Sequence, residues 1–182
     1  MKLTNKQKGE LGEILVSMEL INRGLDVFNT NTVHRNYKNA DLICMNANNG
    51  KSVMIQVKTG TTQNIHTGFT SDVKGSIPKL EEKIIGPWVF VYMPDDKLSN
   101  IEFYILTKEE VIKLISSSNK WYVTEWNRKL TSKPRVGVEV DWLKGKSTKA
   151  SKENAKKQHP EYKSTLCQTS KDNWWKITKL LD

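Results

Sequence analysis

A β-hairpin limits the possible folds of this chain more than any other sequence feature. The runs Asp41–Met45 and Ser52–Lys58 flank the turn Asn48-Asn49-Gly50, and Asn-Gly between apolar runs is the strongest short-range signal for a hairpin. Side chains alternate between the two faces of a strand, so Gln56 and Lys58 are expected on one face and the apolar residues on the other. The apolar residues of the second strand are Val53, Ile55 and Val57.

A long helix is predicted before the hairpin, from Thr4 to Arg23, with Gly24 providing a left-handed cap at its end. Glycine costs helix stability, so Gly9 and Gly12 indicate close approach of another backbone or of a ligand. Glu13 lies beside these glycines, where its carboxylate is predicted to face inward. The main apolar positions at helical spacing are Leu11, Ile14, Leu15, Met18 and Ile21, and a second strip consists of Val16 and Leu20.

The elements after the hairpin are predicted to complete a mixed sheet. Pro87–Tyr92 and Ile101–Leu106 have the composition of buried strands, and Thr107–Glu110 is a capping box that opens a helix over Val111–Ser116. The order helix, strand, hairpin, helix, strand, strand, helix predicts an α/β or α+β fold around a central mixed sheet.

The chain divides into three predicted regions. Residues 1–143 are expected to form the main domain, and residues 144–171 a basic, mobile loop. Residues 172–182 are expected to form a short amphipathic helix that docks on the core through Trp174 and Trp175.

The charge of the chain favours a polyanionic partner. Lys and Arg number 29 and Asp and Glu number 20, so the net charge is +9. Residues 144–163 hold seven lysines against two glutamates, a net charge of +5. Two interpretations of this segment are equally favoured: a solvated linker, or an arm that binds a phosphate backbone. The lysines predicted to contact nucleic acid are Lys144, Lys146, Lys149, Lys152, Lys156 and Lys157.

Several protein classes are excluded by composition. The longest unbroken apolar run, Trp88–Met93, is too short to cross a bilayer, and residues 1–11 lack the apolar core of a secretory signal. Cys44 and Cys167 form no CxxC pair, which argues against a zinc ribbon and a disulfide scaffold. A soluble, cytoplasmic protein is expected.

Four polar residues on the predicted elements have the chemistry of a hydrolytic metal site. Phosphodiester hydrolysis needs an activated water and stabilised transition-state charge, and a hard divalent cation with oxygen ligands supplies both. Asp41 and Glu13 would give carboxylate oxygens and Gln56 an amide oxygen, while the Lys58 ammonium would act on the attacking water or the scissile phosphate. Taken singly, Asp41 is equally a turn residue, and Gln56 and Lys58 equally the solvent face of a strand.

Together these residues resemble the motif of the PD-(D/E)XK nuclease superfamily, which has the restriction-endonuclease-like fold. The matching stretches are Gly12-Glu13, Leu20, Gly24, Ala40-Asp41-Leu42-Ile43 and Ile55-Gln56-Val57-Lys58-Thr59, and they are most similar to Holliday-junction resolvases and Mrr-type restriction enzymes. The resemblance implies a central mixed sheet flanked by helices. It also implies that Asp41, Gln56 and Glu13 bind Mg²⁺, with Mn²⁺ as a substitute, and that Lys58 assists the nucleophilic water.

Two positions depart from the superfamily pattern. Ala40 stands where the motif has proline, a residue that only shapes the entry to the strand. Gln56 replaces an acidic residue, which removes one negative charge and is expected to weaken Mg²⁺ binding, although the superfamily has active members with glutamine.

The sequence therefore predicts a metal-dependent deoxyribonuclease that hydrolyses DNA, with a homodimer as one arrangement able to cut both strands. The alternatives are a catalytically inactive DNA-binding module of the same fold and, from another class, a factor that binds an acidic protein. Two further residues are weaker site candidates: Glu10, one helical turn before Glu13, and Gln63, in the loop after the Lys58 strand.

Overall fold

The structure is a computed structural model that describes residues 3–33, 40–72, 75–94, 98–124, 135–140 and 169–182. Its helices are α1 (Asn5–Ile21), α2 (Thr30–Val33), α3 (Leu80–Lys83), α4 (Lys108–Thr124) and α5 (Trp175–Thr178), with a 3-10 turn at Leu98–Asn100. Its strands are β1 (Asp26–Asn29), β2 (Leu42–Met45), β3 (Ser52–Gly60), β4 (Asn64–Thr70), β5 (Trp88–Tyr92), β6 (Glu102–Leu106) and β7 (Arg135–Glu139).

The main sheet is mixed, and its strands run in the order β1-β2-β3-β5-β6. Strands β1, β2 and β3 are joined antiparallel, β3 and β5 are parallel, and β6 is antiparallel to β5. The β2–β3 hairpin forms where the Asn-Gly turn predicts it, with Leu42 opposite Ile55. The predicted fold class, a central mixed sheet flanked by helices, is confirmed.

Both faces of the sheet carry a hydrophobic core. On one face α1 and the segment around α5 pack against the apolar side of the hairpin, where Leu20, Ile55 and Ile177 are fully buried. On the other face α3, α4 and the β4–β7 pair pack against Trp88 and Phe90. Gln56 and Lys58 alternate with the first core and therefore lie on the second face.

Helix α1 buries a different side from the one that its largest apolar residues predict. The fully buried positions are Gly12, Val16 and Leu20, while Leu11 and Leu15 are partly buried. Ile14, Met18 and Ile21, which recur at the predicted helical spacing, are each 55% exposed. The smaller side chains face the sheet because they allow the helix backbone to approach β3 closely.

The ends of both long helices follow the sequence signals. Thr4 caps α1 in a capping box with Gln7, and Gly24, at a φ of 79°, occupies the left-handed region after the helix end. At α4, the Glu110 amide donates to Thr107 Oγ1 at 3.3 Å and the Thr107 amide donates to the Glu110 carboxylate at 2.8 Å. Helix α4 then continues to Thr124, beyond the predicted end at Ser116.

The β4–β7 pair was not predicted. It is a second, two-stranded antiparallel sheet whose inner residues Ile65, Val136 and Val138 are buried in the second core. Three residues separate the end of β3 from the start of β4, so this separate small sheet follows directly after the hairpin strand.

The C-terminal segment closes the first core. Trp174 is 4% exposed, whereas its neighbour Trp175 is 62% exposed. The amide of Ile105 donates to the Ser170 carbonyl at 2.8 Å and the amide of Asp172 donates to the Phe103 carbonyl at 2.9 Å, so the segment lies along the edge strand β6.

Cys44 is fully buried in β2, as strand alternation predicts. Burial is the main reason why the pKa of its thiol is raised to about 11, which keeps the thiol neutral and inert. Within the described residues, no helix has both the length and the apolar composition needed to span a membrane.

Candidate active site

Asp41 is held by both strands of the hairpin and by the end of β1. Its amide donates to the Ile55 carbonyl at 2.9 Å, and its carbonyl accepts from the Thr30 amide at 2.9 Å. Its carboxylate oxygen Oδ2 accepts from the Val57 amide at 2.7 Å and from Gln56 Nε2. The hairpin register thus places Asp41 beside Gln56, as the sequence predicts.

Lys58 lies two residues after Gln56 on the same face of β3. Its ammonium nitrogen is 5.4 Å from the ring centroid of Trp88, the β5 residue opposite Gln56. A cation over an indole face is electrostatically favourable. Trp88 therefore limits the positions of the Lys58 ammonium on one side.

Glu13 reaches the site from α1, on the other side of the sheet. Its oxygen Oε2 accepts from Asn29 Nδ2 at 2.7 Å, and Asn31 Nδ2 lies 3.4 Å from Oε2 and 3.5 Å from Oε1. Neither asparagine was predicted as part of the site. An Asn-x-Asn sequence after a short strand is visible in the chain, but it indicates a turn rather than a partner for a distant carboxylate.

A glycine determines how closely Glu13 approaches the strand. A Cβ atom placed on Gly12 would lie 1.9 Å from Thr59 Oγ1, so only glycine allows α1 to pack against β3 at this depth. The neighbour that an added Cβ on Gly12 would meet is a side chain rather than a backbone or a ligand. At Gly9 an added Cβ would meet no atom within 4 Å, so no other backbone approaches it among the described residues, and the approach of a ligand there stays a prediction.

The charges of the site act on one another. Burial raises the pKa of Asp41 above its ordinary value of 3.8, and the Val57 amide and the Lys58 charge partly oppose this shift. Burial also raises the pKa of Glu13, and the Asp41 charge adds to the shift. Burial lowers the pKa of Lys58, against the attraction of both carboxylates. Glu13, Asp41 and Lys58 therefore form one electrostatic cluster, with Gln56 bonded inside it.

The donor set suits a hard divalent cation. The Asp41 charge raises the pKa of Glu13, and a cation placed between the two carboxylates would oppose that shift. Because Gln56 Nε2 faces Asp41, its amide oxygen is the atom left to coordinate a metal. No group of three or more His, Cys, Asp or Glu side chains able to hold a metal occurs within the part of the chain that the structure describes. Coordination of a cation by Asp41 and Glu13 would therefore need the glutamine as a further ligand.

A groove of about 830 Å³ runs beside Glu13. Its walls come from the first half of α1 and the end of β1, and they include Glu10, Asn29 and Asn31. Glu10 also lies 3.7 Å from the Lys6 ammonium, on the exposed rim. Glu13, which is only partly buried, lines this groove.

The remaining predicted residues lie elsewhere. Gln63 Nε2 donates to the Tyr92 hydroxyl at 2.6 Å, and its carbonyl accepts from the Val140 amide at 2.7 Å, so Gln63 ties the β4–β7 sheet to β5. Ala40 is fully buried, and its carbonyl accepts from Thr30 Oγ1 at 2.8 Å. The basic residues Lys144, Lys146, Lys149, Lys152, Lys156 and Lys157 fall outside the described residues.

With this geometry in place, the likeness to a solved structure identifies the fold. No family model matches the chain, and no curated protein matches it in sequence. The chain is similar to the structure of a bacterial homing endonuclease, I-Ssp6803I, with a TM-score of 0.52 and 12% identity. The match covers 97% of this chain and 95% of that one. The chain shares the overall fold of that structure. At this identity the likeness extends to the architecture alone.

Proposed function

We propose that the chain is a Mg²⁺-dependent nuclease of the PD-(D/E)XK type that hydrolyses phosphodiester bonds in DNA. The observation that carries the proposal is the electrostatic cluster of Glu13, Asp41 and Lys58, with Gln56 bonded to Asp41, on a nuclease fold. The similar structure is that of an endonuclease, which supports DNA as the substrate.

Each residue has a distinct part in this reaction. Asp41, Glu13 and Gln56 would hold the cation, which supplies an acidic water and charge stabilisation when bound. The Lys58 ammonium stabilises negative charge as it develops on the scissile phosphate and orients the attacking water. The bonds from Val57 and Gln56 fix Asp41 before the substrate arrives, so little reorganisation is needed during the reaction.

The net charge of +9 supports a nucleic-acid substrate. Binding driven by phosphate contacts weakens steeply with salt because counterions are released. We therefore expect the affinity for random-sequence DNA to fall with increasing salt concentration.

Cleavage assays with paired aspartate variants test the proposal. Wild type, Asp41→Asn and Asp26→Asn are incubated with single-stranded, duplex and four-way-junction DNA, in Mg²⁺ or in EDTA. Asp26 is the matched control, because it is an exposed carboxylate on the neighbouring strand β1. We expect wild type and Asp26→Asn to cut DNA in Mg²⁺ but not in EDTA. We expect Asp41→Asn not to cut it under either condition. Equal cutting by Asp41→Asn would overturn the assignment.

Lys58 is tested in the same way against an exposed lysine of the same hairpin. Lys58→Ala is expected to lower the cleavage rate by about 10²- to 10³-fold, the usual loss when one preorganised transition-state contact is removed. Lys51→Ala, just before β3, is expected to leave the single-turnover rate unchanged. Equal losses in the two variants would indicate a general effect of charge on DNA binding.

A DNA-binding module without catalysis is the second candidate, and Gln56 is the observation that favours it. The glutamine leaves the site one negative charge short of the superfamily pattern. Gln56→Glu restores that charge and is expected to tighten Mg²⁺ binding in an enzyme. DNA that is retarded but uncut by both wild type and Gln56→Glu would support the binding module.

A further inference from the structure

We propose that Asn29 is a positioning residue that orients the Glu13 carboxylate for cation binding. Asn29 is the last residue of β1, and its Nδ2 donates to Glu13 Oε2 at 2.7 Å. This proposal deepens the nuclease function and rests on it.

The orientation of the Asn29 amide is fixed by a second hydrogen bond. Its Oδ1 accepts from the Asn31 amide at 2.8 Å, which forms an Asx turn at the start of α2. An asparagine oxygen cannot donate, and the Asn31 amide cannot accept. The Asn29 amide therefore presents its NH₂ group to Glu13 in one orientation only.

The two oxygens of Glu13 are consequently unequal. Oε2 receives the short bond from Asn29 and a 3.4 Å contact from Asn31. Among the described residues, Oε1 receives only the longer 3.5 Å contact from Asn31. A carboxylate with one oxygen anchored in this way is held in a single rotamer and keeps the second oxygen for a cation or its bound water.

The same turn also contacts the second acidic residue. Thr30, next in sequence, donates from its amide to the Asp41 carbonyl at 2.9 Å. Its hydroxyl, which donates to the Ala40 carbonyl at 2.8 Å, lies 3.0 Å from the same Asp41 carbonyl. Asn29 and Thr30 therefore fix the Glu13 side chain and the Asp41 backbone from one short segment. Because this segment contacts both acidic residues, Asn29 does more than form a local turn.

An isosteric substitution separates positioning from turn formation. Asn29→Asp keeps the acceptor oxygen of the Asx turn but replaces the NH₂ donor with a second carboxylate oxygen facing Glu13. Asn29→Ala removes the donor without adding a charge. In this variant the Mg²⁺ concentration for half-maximal cleavage, and the Kd for Mn²⁺ measured by electron paramagnetic resonance, are expected to rise about 10- to 100-fold, the usual cost of losing a partner of a metal ligand. Asn31→Ala is the control for the weaker contact, and it is expected to raise the Mg²⁺ concentration and the Kd for Mn²⁺ by a smaller factor.

A stability measurement in EDTA tests the contact without metal or activity. Asn29→Asp is expected to lower the Tm because two carboxylates then face each other. Adding Glu13→Gln is expected to restore it, since the new amide can donate to the new carboxylate. An unchanged Tm in Asn29→Asp together with an unchanged Mn²⁺ affinity in Asn29→Ala would overturn the proposal. A wild type that neither cuts DNA nor binds Mn²⁺ would overturn both the nuclease function and this inference. If the wild type does both, unchanged Asn29 variants would overturn this inference alone.

Discussion

Asp41 and Glu13 occupy positions where ionisation is unfavourable. Burial is the largest cause of the raised pKa at both residues. A carboxyl group whose pKa is higher in the folded than in the unfolded chain stabilises the fold in its protonated form. That contribution is complete below the unfolded pKa and is lost as the pH rises through the folded pKa. Without a cation, the ionised site therefore destabilises the fold at neutral pH.

Asp41→Asn is thus expected to abolish cleavage while raising the Tm at pH 7 in EDTA. Asparagine mimics the protonated carboxyl and can still accept from the Val57 amide. The Tm difference between variant and wild type is expected to shrink as the pH is lowered toward the ordinary carboxyl pKa, because the wild-type carboxyl then becomes neutral. Differential scanning calorimetry from pH 4 to pH 7 measures it. A Tm difference independent of pH would contradict this account, and Asp26→Asn serves as the control.

The polar residues of the hairpin could be predicted to lie together because their arrangement follows from local rules. The Asn-Gly turn and the alternation of side chains are sufficient to bring Asp41 beside Gln56 and to place Lys58 on the same face. The Asn29 contact could not be predicted in this way. Its partner Glu13 lies on a different element, and only the packing of α1 on the sheet brings the two side chains together.

At the scale of the elements, the contact between α1 and β3 depends on Gly12. Gly12→Ala is expected to lower the free energy of unfolding by about 1–3 kcal/mol, as overpacking does in other cores. It is also expected to lower the cleavage rate, because the shifted helix displaces Glu13. Gly9→Ala is the matched control on the same helix. It has open space around its Cβ and is expected to stabilise α1 by up to about 1 kcal/mol. Urea denaturation measures both.

A second substitution checks the cause of the Gly12 effect. Thr59 Oγ1 is buried and has no hydrogen-bond partner among the described residues, so Thr59→Ala removes the clashing atom without breaking a bond. Thr59→Ala is expected to recover part of the stability that Gly12→Ala loses. Additive losses in the double variant would show that the clash is not the cause.

The C-terminal segment is linked to α4 by the largely buried ion pair between Lys176 and Glu110. The Lys176 ammonium is bonded to both oxygens of Glu110 at 2.8 and 2.7 Å and to Ser170 Oγ at 3.2 Å. Lys176→Met is expected to lower the free energy of unfolding by about 1–3 kcal/mol, because it leaves a half-buried carboxylate without its cation. Lys171→Met, which removes a more exposed pair with Glu102, is expected to cost under about 1 kcal/mol. Equal Tm values for Lys176→Met and Lys171→Met would show that the Lys176–Glu110 ion pair does not stabilise the fold more than the exposed pair does.

Two features of the fold could not be predicted from local sequence. The β4–β7 pair depends on partners about 70 residues apart in the chain, and pattern rules give no information on such pairings. The buried side of α1 does not follow from hydrophobicity, which favours the larger residues Ile14, Met18 and Ile21. The structure instead buries Gly12 and Val16, because backbone approach to Thr59 determines the packing.

At the scale of the whole molecule, α1 leaves an apolar stripe uncovered. Ile14, Met18 and Ile21 are each 55% exposed, and their spacing places them along one side of the helix. Ile14 also lines the groove beside Glu13. We expect a second copy of the chain to cover this stripe, since two copies supply one site for each strand of a duplex.

Light scattering coupled to size-exclusion chromatography measures the oligomeric state. The wild type is expected to form a dimer whose population rises with concentration, and Met18→Glu is expected to be a monomer that nicks one strand. Leu98→Glu changes an equally exposed apolar residue outside α1 and is expected to leave the dimer intact. A wild type that is monomeric at every concentration would contradict this expectation.

The hairpin that carries Asp41 and Lys58 is also tied to the far end of the described chain. Asn46 Nδ2 and Asn49 Nδ2 donate to the Leu181 carbonyl at 3.1 and 2.7 Å, and Ile177 and Leu181 are fully buried against the same face of the sheet as α1. At ribosomal speeds of about 5–20 residues per second, the delay between synthesis of Val16 and of Ile177 is on the order of ten seconds. During that interval the nascent chain lacks part of its first core, so the fold that positions Asp41 and Lys58 is completed only after Ile177 and Leu181 have been synthesised.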